Sequence, residues 1–201
     1  MNIVMLDRIR GKKIKKNESK INGTINKCLL IMLLFIASLT IQAQTTTFLG
    51  IPVDGTKTEM IKKLKEKGFE QKAGEEWLTG EFNGVDVHVG VVTNNNKVYR
   101  VYVLDAYPSS EGNIIIRYNQ LVAQFQNNAR YTTKDITEIP DDEDFDLSYE
   151  LVVHNKRYQA AFIQNGQTNN SVWLMIAYHY GELRIVIYYD NNANAANGED
   201  L

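Results

Sequence analysis

Val85, Val87, Val89 and Val91 alternate with Asp86, His88 and Gly90, directly behind the dipeptide Asn83-Gly84. A period of two sends successive side chains to opposite faces of a strand, so this run has one buried and one wet face. Asn-Gly tolerates positive φ at both central positions of a type I′ turn and is a strong hairpin signal. The segment is therefore committed to antiparallel pairing with Glu76–Phe82. Asn94-Asn95-Asn96 predicts a second turn. From it Val98–Asp105 returns, with Tyr99, Val101 and Val103 on one face and Arg100 and Tyr102 on the other. A three-stranded meander follows.

The flanks read as helices. Thr56-Lys57-Thr58-Glu59 is a capping box that opens a helix over 57–67, with Met60, Ile61 and Leu64 as its apolar stripe. Gly68 fits the left-handed position beyond its end, and Phe69 supplies the hydrophobic contact of a Schellman-type stop. Pro108-Ser109-Ser110-Glu111 opens a second helix, in which Ile114, Ile115, Tyr118, Leu121, Val122 and Phe125 recur at helical spacing. Strands are predicted near 130–138, 148–154, 157–164, 171–179 and 183–190, with an acidic loop at 140–146. Two amphipathic helices cover one sheet face only, and the short connections make the strands antiparallel. The fold class is α+β: an antiparallel sheet under two helices, in the order helix, three strands, helix, four or five strands. A weak duplication, each half a helix leading into a meander, is suggested. The domain spans 44–190, and the Asn/Ala-rich end, 191–201, is expected to be disordered.

Residues 1–43 are unlike the rest. Eight basic side chains, from Arg8 to Lys27, precede an apolar stretch over 28–41, and Gln42-Ala43-Gln44 follows. A positive start, a short apolar run and a small residue at the cut form a secretory signal peptide. The apolar run is short for a spanning helix, which needs about 20 residues. Cleavage after Ala43 is the preferred reading, and retention as an anchor is the alternative. The only cysteine, Cys28, stands at the start of the apolar run and not at the cleavage point, so the exported chain has no disulfide and no thiol. Residues 1–43 hold eight of the 22 basic and two of the 24 acidic side chains, which leaves 14 and 22 and a net charge of −8. That sign excludes a nucleic-acid partner. The expected location is the periplasm or the extracellular space, with no stable membrane anchor after cleavage.

Phe48-Leu49-Gly50-Ile51-Pro52-Val53-Asp54-Gly55-Thr56, the Lys-rich helix ending in Lys67-Gly68-Phe69, and Gly80-Glu81-Phe82-Asn83-Gly84 resemble exported, uncharacterised proteins of Bacteroides and relatives. The resemblance runs from about Phe48 to Asp190, and its motifs are turns and caps. The helix-then-meander layout is also similar to the beta-lactamase-inhibitor-protein fold and to small outer-membrane assembly lipoproteins of the SmpA/OmlA type. The chain lacks the lipid-anchored cysteine of those lipoproteins.

No motif carries a catalytic mechanism. There is no GxSxG, no Gly-rich phosphate loop and no dinucleotide fingerprint. Asp142, Asp144 and Asp146 have the alternate spacing of a calcium loop, but Leu147 stands where Gly is needed and Val153 where Glu is needed. A solvated loop is the favoured reading and a weak calcium site the other. His88, His154 and His179 share wet-face parity but lack local ligand spacing, so no metal and no cofactor are expected.

One surface stands out. With Val87, Val89, Tyr99, Val101, Tyr158, Phe162, Leu174, Ile176, Ile185 and Ile187 under the helices, the open face carries Arg100, Tyr102, Arg157, Gln159, Trp173, Met175, Arg184 and Tyr188. Trp, Tyr, Arg and Met are the side chains enriched at interface centres. Strands also favour aromatics on both faces for cross-strand pairing. The sequence thus predicts a non-enzymatic binding module for an unknown protein or envelope component, using Arg100, Tyr102, Arg157, Trp173, Met175, Arg184 and Tyr188. A small-molecule enzyme or hydrolase with an unreadable site is the alternative.

Overall fold

Four two-residue turns set the architecture. Leu49-Gly50, Asn83-Gly84, Asn95-Asn96 and Tyr180-Gly181 all hold positive φ at both positions, the conformation whose twist matches that of antiparallel strands. The computed structural model describes residues 45–142, 144–164 and 170–195. The segment read as a signal peptide lies outside them. Two strands of two residues, β1 (Thr47–Phe48) and β2 (Ile51–Pro52), form a small hairpin. Then come α1 (Lys57–Glu66), β3 (Leu78–Phe82), β4 (Val85–Asn94) and β5 (Lys97–Asp105). The second half holds α2 (Glu111–Gln126), β6 (Tyr131–Ile136), α3 (Leu147–Val152), β7 (Gln159–Gln164), β8 (Asn170–His179) and β9 (Glu182–Asn191).

The long strands form one seven-stranded antiparallel sheet in the order β3-β4-β5-β9-β8-β7-β6. The two meanders, each introduced by a helix, meet where β5 pairs with β9. Helix α1 packs on β4 and β5, and α2 on β6, β8 and β9. Met60 and Leu64 of α1 and Ile114, Tyr118, Leu121, Val122 and Phe125 of α2 are buried against the sheet. Beneath them lie Val87, Val89, Val101, Val103, Phe162, Leu174, Ile176, Ile185 and Ile187, all buried. The α+β class, the antiparallel sheet and the two amphipathic helices on one face are as the periodicity predicts.

Local chemistry fixes the ends of α1. The Thr56 hydroxyl accepts from the Glu59 amide, and the Glu59 carboxylate accepts from the Thr56 amide at 3.1 Å, closing the box. At the other end the amide of Phe69 donates to the Leu64 carbonyl and that of Gly68 to Lys65, with Gly68 at φ 95°. That is the Schellman pattern.

Three expectations are corrected. The segment 148–154 is not a strand. Asp146 caps α3 by accepting from the Tyr149 amide at 2.7 Å, so one acid of the calcium-like run has a structural role. Tyr99 does not take a core place. The ladder between β4 and β5 shifts at Val92/Thr93, so Val98 is buried and Tyr99 becomes the extra, half-buried residue. The chain end is ordered further than 190. Asn191 is buried and donates to the Val53 carbonyl, and Asn194 donates to Asp54 and to the Val98 carbonyl; residues 196–201 lie outside the described residues. Phe48 of the β1–β2 hairpin also belongs to the core, its ring 5.4 Å from Phe82 and 4.9 Å from Tyr189.

Candidate functional site

Strand parity places Arg100 and Tyr102 of β5, Trp173 and Met175 of β8, and Arg184 and Tyr188 of β9 on the sheet face away from α1 and α2. Register then decides which of them meet. Gly90 pairs with Tyr102, Tyr102 with Tyr188, Tyr188 with Trp173, and Trp173 with Ala161. The result is a single rung across five strands, with three aromatics flanked by the two smallest side chains. Met175 sits on the next rung, opposite Val186 and Gln159. Arg157 precedes β7 on an exposed segment and is not brought into the group.

The aromatic rung is a locked cluster. Trp173 stacks on Tyr188 at 4.1 Å between centroids and 21° between planes, an offset-stacked geometry that contributes about 0.5–1.5 kcal/mol beyond area burial. The guanidinium of Arg100 lies 4.6 Å from the Tyr188 centroid and 5.5 Å from that of Trp173. It is held there by Asp190, which accepts from Arg100 at 2.7 and 2.8 Å. The same carboxylate accepts from Trp173 Nε1 at 3.0 Å. Asp190 is only 5% exposed, so a buried charge is satisfied by three charge-assisted bonds. Its hydrogen bonds push the Arg100 guanidinium further up from its ordinary range. Burial likewise pushes the hydroxyls of Tyr188 and Tyr102 up.

Arg184 has a different role. Its Nη1 donates to the carbonyls of Asp105 and Ala106 at 3.2 and 2.6 Å, and its other nitrogens reach Glu182. This clamps the end of β5 to β9. With Arg100 on Asp190 and Arg184 on Glu182, the positive charge of the face is largely neutralised at short range. What the face offers is a half-buried aromatic plate with a fixed guanidinium at its edge.

Tyr102 explains Gly90. A Cβ built on Gly90 would overlap the Tyr102 ring, so the missing side chain is what lets the ring lie flat on the sheet. Gly90→Ala is expected to cost about 1–3 kcal/mol through overpacking. The double variant Gly90→Ala/Tyr102→Ala should recover part of that loss in urea denaturation.

The histidines are held in separate contacts: His88 beside Trp77 at 5.6 Å, His154 on Glu150 at 2.8 Å, and His179 beside Tyr180 at 4.2 Å. Among the described residues no set of His, Asp or Glu side chains is arranged to hold a metal ion. Sequence reasoning missed Asp190, the residue that organises the cluster. Its signal was an acid two positions beyond Tyr188 on the same strand face. No protein-family model, curated protein or solved structure matches the chain.

Proposed function

We propose that this protein is an exported, non-enzymatic binding module of the bacterial envelope that engages a partner protein through its open sheet face. The observation that carries this reading is the Trp173–Tyr188 stack with Arg100 fixed beside it by Asp190. Aromatic and guanidinium side chains already held in one arrangement lose little conformational freedom when a partner covers them. They are also the types that dominate interface energetics. The reading of residues 1–43 as a signal peptide supports an envelope location.

The test is capture from envelope extracts with the mature domain and two variants, Trp173→Ala and Met175→Glu. Met175 is half-buried on the open face, and its replacement leaves the Asp190 bonds in place. Both variants should melt as folded proteins and lose the partner that the natural chain retains. Truncating a central Trp costs at least ~2 kcal/mol of affinity, about 30-fold. Lys62→Glu on the exposed side of α1 is the control and should keep the partner. Equal capture by all four proteins overturns the assignment of the face.

A further inference from the structure

On the helix-covered side, away from the aromatic rung, the β1–β2 hairpin, the β3–β4 turn and the C-terminal half of α2 enclose a cleft of about 400 Å³. That is within the ordinary range of small-molecule sites. Its apolar lining includes Phe82, Leu121, Phe125 and the ring of Tyr131, with Phe125 and Tyr131 edge-on at 4.9 Å. Its polar lining comes from the turn that leaves α2, Asn128 to Tyr131, and from Thr47, Asn83, Gln124 and Gln164.

The hydrogen-bond inventory of that turn is one-sided. Gln164 accepts from the Thr47 amide at 2.7 Å and spends both its hydrogens, on the Thr47 carbonyl and on the Tyr131 oxygen. The Tyr131 oxygen is therefore used as an acceptor, and its O–H is left to donate. Asn128 uses its Oδ1 on the Arg130 amide at 3.1 Å, which fixes the orientation of its amide and leaves its NH₂ to donate. The Arg130 side chain is exposed, and no carboxylate among the described residues pairs with it. Among the described residues this turn thus presents three unspent donor groups, one of them cationic, to a cleft with an aromatic floor.

The obvious competing role for Arg130 is to offset the negative end of α2, whose last turn has no basic residue. That end carries roughly half an elementary charge, against a full charge on the guanidinium. A positive surplus remains. One cation with two neutral donors suits a single negative charge, and the guanidinium fork matches a carboxylate. A phosphate dianion would leave one charge uncompensated in a domain of net −8.

We infer that this cleft is a binding site for a monocarboxylate with an aromatic or apolar body, its carboxylate on Arg130 and Tyr131 and its body on Phe82, Leu121 and Phe125. The same chemistry occurs on small organic acids and at the C-terminus of a peptide with an apolar last residue. The site is independent of the open-face reading and stands or falls separately.

Calorimetry and amide NMR on the mature domain test it with two matched pairs: 4-phenylbutyrate against 4-phenylbutanamide, and the peptide Ala-Ala-Phe with a free against an amidated C-terminus. The free acid of at least one pair should bind about tenfold or more tightly than its amide, with shifts centred on Leu121, Asn128 and Arg130. Whichever pair shows the larger ratio identifies the source. Arg130→Gln, at an exposed position, should abolish the preference, and Arg130→Lys should keep part of it. Tyr131→Phe should reduce it without changing the affinity of the amide. An absence of saturable binding by either acid at millimolar concentration overturns the inference. So does an acid preference unchanged in Arg130→Gln, or shifts that map outside the cleft.

Discussion

Asp105→Ala is expected to lower the unfolding free energy by about 3–5 kcal/mol, read from urea denaturation. Asp105 lies on the covered face of β5, and its carboxylate accepts from Arg117 of α2 at 2.5 and 2.7 Å. Both side chains are largely withdrawn from water, at 14% exposure for Arg117 and 8% for Asp105. Removing the carboxylate leaves a buried guanidinium without a counter-charge, and that desolvation cost makes the loss large. The pair itself adds much less net stability, because both ions were dehydrated to form it. The double variant Asp105→Ala/Arg117→Met should therefore lie closer to the natural protein than the single variant does. A single-variant loss below about 1 kcal/mol would instead mean that the pair is solvated and does not clamp α2 to the sheet.

The same pair shows where sequence reading stops. The elements were legible wherever the deciding chemistry is local: Thr56 and Glu59 three apart, Gly68 at the helix end, Asn83-Gly84 between alternating runs. The open face was legible too, because period-two parity alone puts Arg100, Tyr102, Trp173, Met175, Arg184 and Tyr188 on one side. Contacts between distant segments were not. Arg100 and Asp190 are 90 positions apart, and nothing in either strand states the β5–β9 register that joins them. Tyr99 failed for a related reason: one extra residue in the ladder reverses parity, and a bulge leaves no local mark in this stretch. The segment 147–152 failed on composition. Leu147-Ser148-Tyr149-Glu150-Leu151-Val152 is rich in strand-favouring types, while its helix signal is the single cap Asp146 within an acidic run that also suggests a calcium loop. The donor-rich cleft was invisible for a further reason. It joins Thr47, Asn83, Arg130 and Gln164 from four separate segments.

Phe162→Ala should cost about 3–5 kcal/mol, and Met175→Ala about 1 kcal/mol, although the two residues lie on adjacent strands. Phe162 of β7 is fully buried and stacks on Phe125 of α2 at 4.9 Å between centroids and 19° between planes. Truncation leaves a cavity between a helix and a sheet, two rigid layers that cannot collapse to fill it, so the cavity term adds to the transfer term. Met175 of β8 is half-buried on the opposite face, where water fills the space that a truncated side chain vacates. For a domain of this size each kcal/mol corresponds to roughly 2–4 °C in melting temperature, so a thermal melt separates the two variants clearly. A loss at Met175 as large as that at Phe162 would mean that some further element covers the open face. The aromatic rung would then be interior packing, and the proposed partner would have no surface to meet.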